Sequence, residues 1–141
     1  MNEELKIKMY SFTVDSKEPH ELAKFYAALL KWEALFFDEN FACVHAPGTN
    51  NGTYPFILFQ KNDEYQPPVW PEQPEAQQQM AHLDFVVNDL EKAVQHAIQC
   101  GATMADVQFS ENWRVMFDPA GHPFCLCQMK ELMESPNFSL L

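Results

Sequence analysis

Four side chains in the second half of the chain are of types that can do chemistry. His82 and Asp84 stand two apart in HLDFVV (82–87), and Cys125 and Cys127 stand two apart in PFCLCQ (123–128). On a strand, residues two apart share a face about 7 Å from one another along the backbone. A histidine beside a carboxylate can then exchange a proton near neutral pH, or simply hydrogen-bond a ligand. A cysteine becomes a nucleophile only as a thiolate, which needs a cation or a histidine beside it. Without one, a cysteine is a small hydrophobe, and Cys43 and Cys100 read as core residues on that ground. Cys-x-Cys also lacks the Cys-x-x-Cys spacing of zinc ribbons and redox sites.

The elements that must position these groups are written twice. PFILFQ (55–60) returns as PFCLCQ (123–128), with Ile57 and Phe59 replaced by Cys125 and Cys127. Alternation along a strand suggests that Phe56 and Leu58, like Phe124 and Leu126, lie under a helix. Ile57 and Phe59, or Cys125 and Cys127, are then expected on the other face. The opening strands obey the same rule. Phe12 and Val14, and in the second copy Leu83, Phe85 and Val87, take the helix side. Ser11 and Thr13, and likewise His82 and Asp84, take the opposite one. A sheet face carrying small polar groups, thiols, a histidine and a carboxylate suits a ligand cavity better than a second core. Phe41 and Phe59 would add apolar, flat walls to it. Trp113 and Arg114 could close over an anionic end of a ligand.

The wider pattern repeats with those strands. MYSFTV (9–14) predicts a strand, and Pro19 opens a helix with Leu22, Phe25, Tyr26, Leu29 and Leu30 on one stripe. Strand-like runs follow at 33–37 and 41–45, and the turn APGTNNG leads into PFILFQ. Four prolines among Gln and Glu make 61–79 a semi-rigid linker, with Trp70 as its anchor to the body. After HLDFVV, Asn88 and Glu91 read as a capping box, Leu90, Ala93, Val94, Ala97 and Ile98 as the helix stripe, and Gly101 as its C-cap. Runs at 104–109 and 113–117, the turn DPAG and PFCLCQ close the second copy. His20, His96 and His122 fall at helix or turn positions and read as surface residues. The expected organisation is a first βαβββ module (1–60), the linker (61–79), a second module (80–128) and a tail (129–141) with a short helix. The fold class is α+β, the two modules forming a cupped mixed sheet with helices outside.

Composition narrows the partners. The 141 residues suit one domain or two small modules sharing a core. A net charge of -11 with nine Lys and Arg argues against a nucleic-acid groove or an anionic membrane surface. No apolar run approaches the ~20 residues of a membrane span. The start MNEELKIKMY lacks the charged and apolar parts of a secretion signal, so a cytoplasmic chain with reduced thiols is expected.

ELAKFYAALLKWE (21–33), HLDFVVNDLEKAV (82–94) and WRVMFDPAGHPFCL (113–126), in this doubled order, resemble the vicinal oxygen chelate superfamily of glyoxalases, bleomycin-resistance proteins and extradiol dioxygenases. The resemblance spans all but linker and tail and is closest to small glyoxalase-like domains. It implies four metal positions, which fall here on Ser11, Ile57, His82 and Cys125. His82 alone matches the usual ligand, and a divalent ion needs three or four N, O or S donors. No cofactor is therefore expected. A divalent metal is the alternative, if Asp84, Cys43, His45 or Cys127 rebuild a site. The resulting expectation is a metal-free, glyoxalase-like binder of a small organic ligand, contacted by Ser11, Thr13, Ile57, Phe59, His82, Asp84, Cys125 and Cys127, with His82 as the catalytic candidate. One alternative is a metal-dependent lyase or dioxygenase. Another is an interaction module working through a dimer surface that includes Trp70 and the tail. The resemblance also implies a homodimer.

Overall fold

The computed structural model describes residues 4–49 and 56–129. The latter half of the APGTNNG turn, Pro55 and the tail beyond Met129 lie outside the described residues. Two four-stranded mixed sheets are built in one order. The strands β1 (Ser11–Ser16), β2 (Glu33–Phe36), β3 (Phe41–His45) and β4 (Phe56–Lys61) form the first sheet, ordered β1-β4-β3-β2. The second contains β5 (Leu83–Val87), β6 (Thr103–Met104), β7 (Trp113–Phe117) and β8 (Pro123–Gln128), ordered β5-β8-β7-β6. In each, opening and closing strands pair in parallel and the remaining ladders are antiparallel. Helices α1 (Pro19–Leu30) and α2 (Leu90–Cys100) cross from the first to the second strand of each module. The α+β plan of two βαβββ modules expected from the sequence is thus present.

The apolar stripes explain the packing. Leu22, Phe25 and Tyr26 of α1 are 1–3% exposed. Tyr26 stacks on Phe59 at 5.6 Å between ring centroids and meets Phe124 at 6.2 Å and Phe85 at 6.3 Å. One helix therefore fills the core of both modules, an arrangement that ties them into a single body. His96, expected at the surface, is half-buried because its Nε2 reaches the Leu29 carbonyl 3.0 Å away. His20 reaches the Asp38 carbonyl in a similar way. Ile98, counted in the α2 stripe, is instead exposed.

Several local expectations shift. The first strand runs from Ser11 to Ser16, two residues later than MYSFTV suggested. Asp89, not Asn88, caps α2, its carboxylate accepting from the Lys92 amide at 3.1 Å. Gly101 closes that helix at φ 121°, donating its N–H to the carbonyls of Ala97 and Ile98. The run at 104–109 is not a full strand. After Met104, the side-chain amide of Gln108 replaces the missing peptide group. It donates to the carbonyls of Ala105 and Val115 (2.8 and 2.9 Å) and accepts from the Val115 amide (2.8 Å).

Beyond Lys61 the Pro-rich segment forms no helix or strand, but it is docked on the body. Tyr65 donates its hydroxyl to the Ala120 carbonyl at 2.9 Å, and Trp70 meets Phe109 edge-on at 5.7 Å. Among the described residues no helix is long and apolar enough to cross a membrane.

Candidate functional site

Strand pairing decides which side chains share the face opposite the helices. In β5 and β8 it follows expectation. Phe85 pairs with Leu126 on the helix side, whereas Asp84 pairs with Cys125 and Val86 with Cys127 on the other. In β4 the phase is opposite to the one expected. Phe12 pairs with Ile57 and Val14 with Phe59, so Ile57 and Phe59 belong to the core under α1 at 7% and 0% exposure. Ser11 pairs with Phe56 and Thr13 with Leu58, and these occupy the candidate face. PFILFQ and PFCLCQ thus match in letters but are one residue out of step in space. The first-module counterpart of Cys125 is Leu58, not Ile57. Arg114 pairs with Leu126 and so lies on the helix side, where it donates to the Ser110 and Trp113 carbonyls. Trp113 pairs with Cys127 and does share the candidate face, 40% exposed.

On that face His82, Asp84 and Cys125 come together, with one donor atom of each within 4.8 Å of the others. His82 Nε2 lies 3.2 Å from Asp84 Oδ1. The Cys125 thiol is pushed up to about 12, first by its burial, then by the Asp84 charge and the hydrogen bond it gives that carboxylate. Cys127 is raised for the same reasons, burial first and Asp84 second. At neutral pH both are thiols, poor nucleophiles that serve as donors or apolar contacts. The first module repeats the pair in weaker form, as Ser11 Oγ lies 3.3 Å from Thr13 Oγ1. His82 and Asp84 are open to solvent, with side chains 39% and 59% exposed.

A resident ion at the four positions implied by the resemblance does not fit this donor set. Leu58 holds an apolar side chain in the slot opposite Cys125, and Ser11 and Thr13 offer only neutral hydroxyls. All strong donors come from one module. Cys43, fully buried, and His45, tied to Thr49 Oγ1 at 3.2 Å and to Glu33 at 3.6 Å, do not join the cluster. What remains is a three-donor group of nitrogen, oxygen and sulfur of a kind compatible with a soft divalent cation.

A second constellation lies apart from the sheet face and from every residue the sequence singles out for chemistry. Asp118 is buried, and its carboxylate accepts from the Tyr26 hydroxyl (2.7 Å), from the Ala120 and His122 amides (2.9 and 3.0 Å) and from His122 Nδ1 (2.9 Å). The signal was present in DPAGH, where an Asp begins a turn and can bond the backbone two and four residues on. His122, expected at the surface, has a side chain only 20% exposed.

Comparison with known proteins agrees with this architecture. The family profile described as a glyoxalase-like domain matches residues 11–127. A glyoxalase/bleomycin resistance protein/dioxygenase family enzyme from Burkholderia phytofirmans PsJN is similar in structure, at TM-score 0.61 and 14% identity over 84% of this chain and 96% of that one. Glyoxalase I of Leishmania major, which is trypanothione-dependent, is similar at TM-score 0.59 and 15% identity over 92% and 91%. A glyoxalase/dioxygenase from Nostoc punctiforme follows at TM-score 0.58 and 18% identity over 91% and 97%. No curated protein matches the chain by sequence. At these identities the structural likeness speaks for the fold alone, and the profile carries the assignment. The chain belongs to the glyoxalase-like family, within the vicinal oxygen chelate superfamily.

Proposed function

We propose that this chain binds a small, mainly apolar organic ligand on the sheet face opposite the helices, without a resident metal. The observation that carries the reading is the split character of that face: a His82–Asp84 pair at 3.2 Å beside Cys125, against Leu58 in the matching slot of the first module. His82 and Asp84 supply the polar contacts, with Ser11 and Thr13 as weaker counterparts. Leu58, Trp113 and the two thiols supply apolar wall. Held by Asp84 through Nε2, His82 leaves Nδ1 to a ligand and can act there as acid or base. The described cysteines are all free, which accords with a reducing cytoplasm, and we include a homodimer in the reading.

The test is a small-molecule screen by thermal shift on the full chain and on His82→Ala. A ligand that stabilises the parent and is lost in the variant supports the reading. A stabilising ligand that His82→Ala and Asp84→Asn both leave untouched places binding elsewhere and ends it. The closeness of the three donors favours a second reading, a metal-dependent lyase or dioxygenase, whose turnover would require added divalent ion and vanish in His82→Ala.

A further inference from the structure

The residues that lead into β1 read ELKIKMY (4–10), and from Leu5 to Met9 apolar and basic side chains alternate. That is the period of a half-buried strand. Residues 4–10 nevertheless belong to neither sheet and are exposed throughout, Leu5 at 81% and Ile7 at 83%. The segment is anchored only where it enters β1. There the Phe56 amide donates to the Tyr10 carbonyl, and the Tyr10 ring meets Phe56 edge-on at 4.7 Å. The outer strands of the two sheets are β1, β2, β5 and β6. Of these, β2 carries large apolar side chains open to solvent, whereas β6 is two residues long. Leu35, Phe36 and the adjoining Phe37 are 38%, 43% and 45% exposed. The Phe37 amide donates to the Phe41 carbonyl, so odd-numbered residues of β2 bond to β3. Ala34 and Phe36 therefore turn their N–H and C=O groups to the outer edge. Glu33 before that edge, and Asp38 and Glu39 after it, are exposed carboxylates of opposite charge to Lys6 and Lys8.

We infer that residues 4–10 are a docking strand that adds to the outer edge of β2 in a second copy of this chain, and that each copy receives the other's strand in return. Backbone groups of the strand pair with Ala34 and Phe36, its apolar side chains cover the exposed ones of β2, and its lysines approach the three carboxylates. Pairing within one chain is ruled out by reach. From the start of β1 to the far side of β2 are four strand spacings, about 19 Å, and residues 4–10 extend at most about 25 Å. The remainder is shorter than β2. A second copy supplies strand and edge together, so the exchange closes on itself as a two-fold dimer. The inference rests on the homodimer included in the proposed function, and not on the ligand.

Sedimentation equilibrium on the full chain and on Ile7→Pro tests this, with amide hydrogen exchange read at Ala34 and Phe36. Proline fixes φ and removes an amide, which breaks the docking strand. Ile7 lies outside both sheets, so the variant keeps the parent's fold, as circular dichroism checks. The expected results are a dimeric parent, self-association weakened by about tenfold or more in Ile7→Pro, and a smaller loss in Lys6→Glu that shrinks at high salt. The Ala34 and Phe36 amides should be protected in the parent, and should exchange freely both in Ile7→Pro and in the parent on dilution. A monomeric parent overturns the inference together with the homodimer. A dimer that Ile7→Pro leaves intact overturns the inference alone, as do Ala34 and Phe36 amides that exchange as fast in the parent as in the variant.

Discussion

Replacing Tyr26 by Phe removes one oxygen from the place where the two modules are joined. The ring keeps its stack on Phe59 and its contacts with Phe85 and Phe124, so the apolar core is unchanged. What is lost is a 2.7 Å hydrogen bond to the buried carboxylate of Asp118, 92 residues away. A hydrogen bond to a charged group contributes about 1.5–3 kcal/mol. Asp118 retains two backbone amides and His122 Nδ1, so it is not left orphaned and the lower half of that range applies. The expected loss is about 2 kcal/mol, or about 6–8 °C in Tm for a domain of this size. Thermal unfolding followed by circular dichroism, with urea denaturation alongside, measures both. A double-mutant cycle with Asp118→Asn should show that the two losses are not additive. A Tm within about 2 °C of the parent, or simple additivity, would refute the argument that this bond couples the halves.

Three further outcomes follow from the same geometry. Gly121 sits at φ 91°, and a Cβ there would come within 2.7 Å of Pro67 Cβ, so Gly121→Ala should destabilise by about 2 kcal/mol or more, measured by urea denaturation, through strain and a displaced linker. Cys125 has a raised folded pKa of about 12 and Tyr26 is raised as well, both chiefly by burial, so each favours its protonated form in the native state. Their stabilising effect is complete below the unfolded pKa values of about 8.5–10 and is lost as pH climbs through the folded values. Tm should therefore fall steadily above about pH 9, and Cys125→Ser should flatten the first part of that slope. By the same protonation, Cys125 should react with iodoacetamide at pH 7.5 far more slowly than an exposed model thiol, as followed by mass spectrometry.

Much of the fold was legible because its signals repeat. The stripe Leu22–Phe25–Tyr26 and the Gly101 cap have unambiguous spacing, and two copies of one element order support each other. The phase of β4 was not legible. Phe56, Ile57, Leu58 and Phe59 are all apolar, so no alternation marks a face, and pairing with β1 decides it. In β8 the cysteines break the apolar run, which is why that strand read correctly. Asn88 and Asp89 are both good caps, and only the need to turn Leu90 into the core selects the second. The strand expected at 104–109 ended early because a side-chain amide can stand in for a peptide group, which a propensity reading does not detect. At the site, the His82–Asp84 pair and its proximity to Cys125 followed from two-residue spacing on parallel partners. Asp118 and His122 escaped notice because a turn, rather than a periodic element, brings them together.

The central claim is that the polar sheet face works without a resident ion, and elemental analysis tests it most directly. Protein purified without chelator or a histidine tag should carry no divalent metal in stoichiometric amount, and His82→Ala should leave that content unchanged. One zinc, nickel, iron or manganese per chain, lost in His82→Ala and in Cys125→Ser, would contradict it.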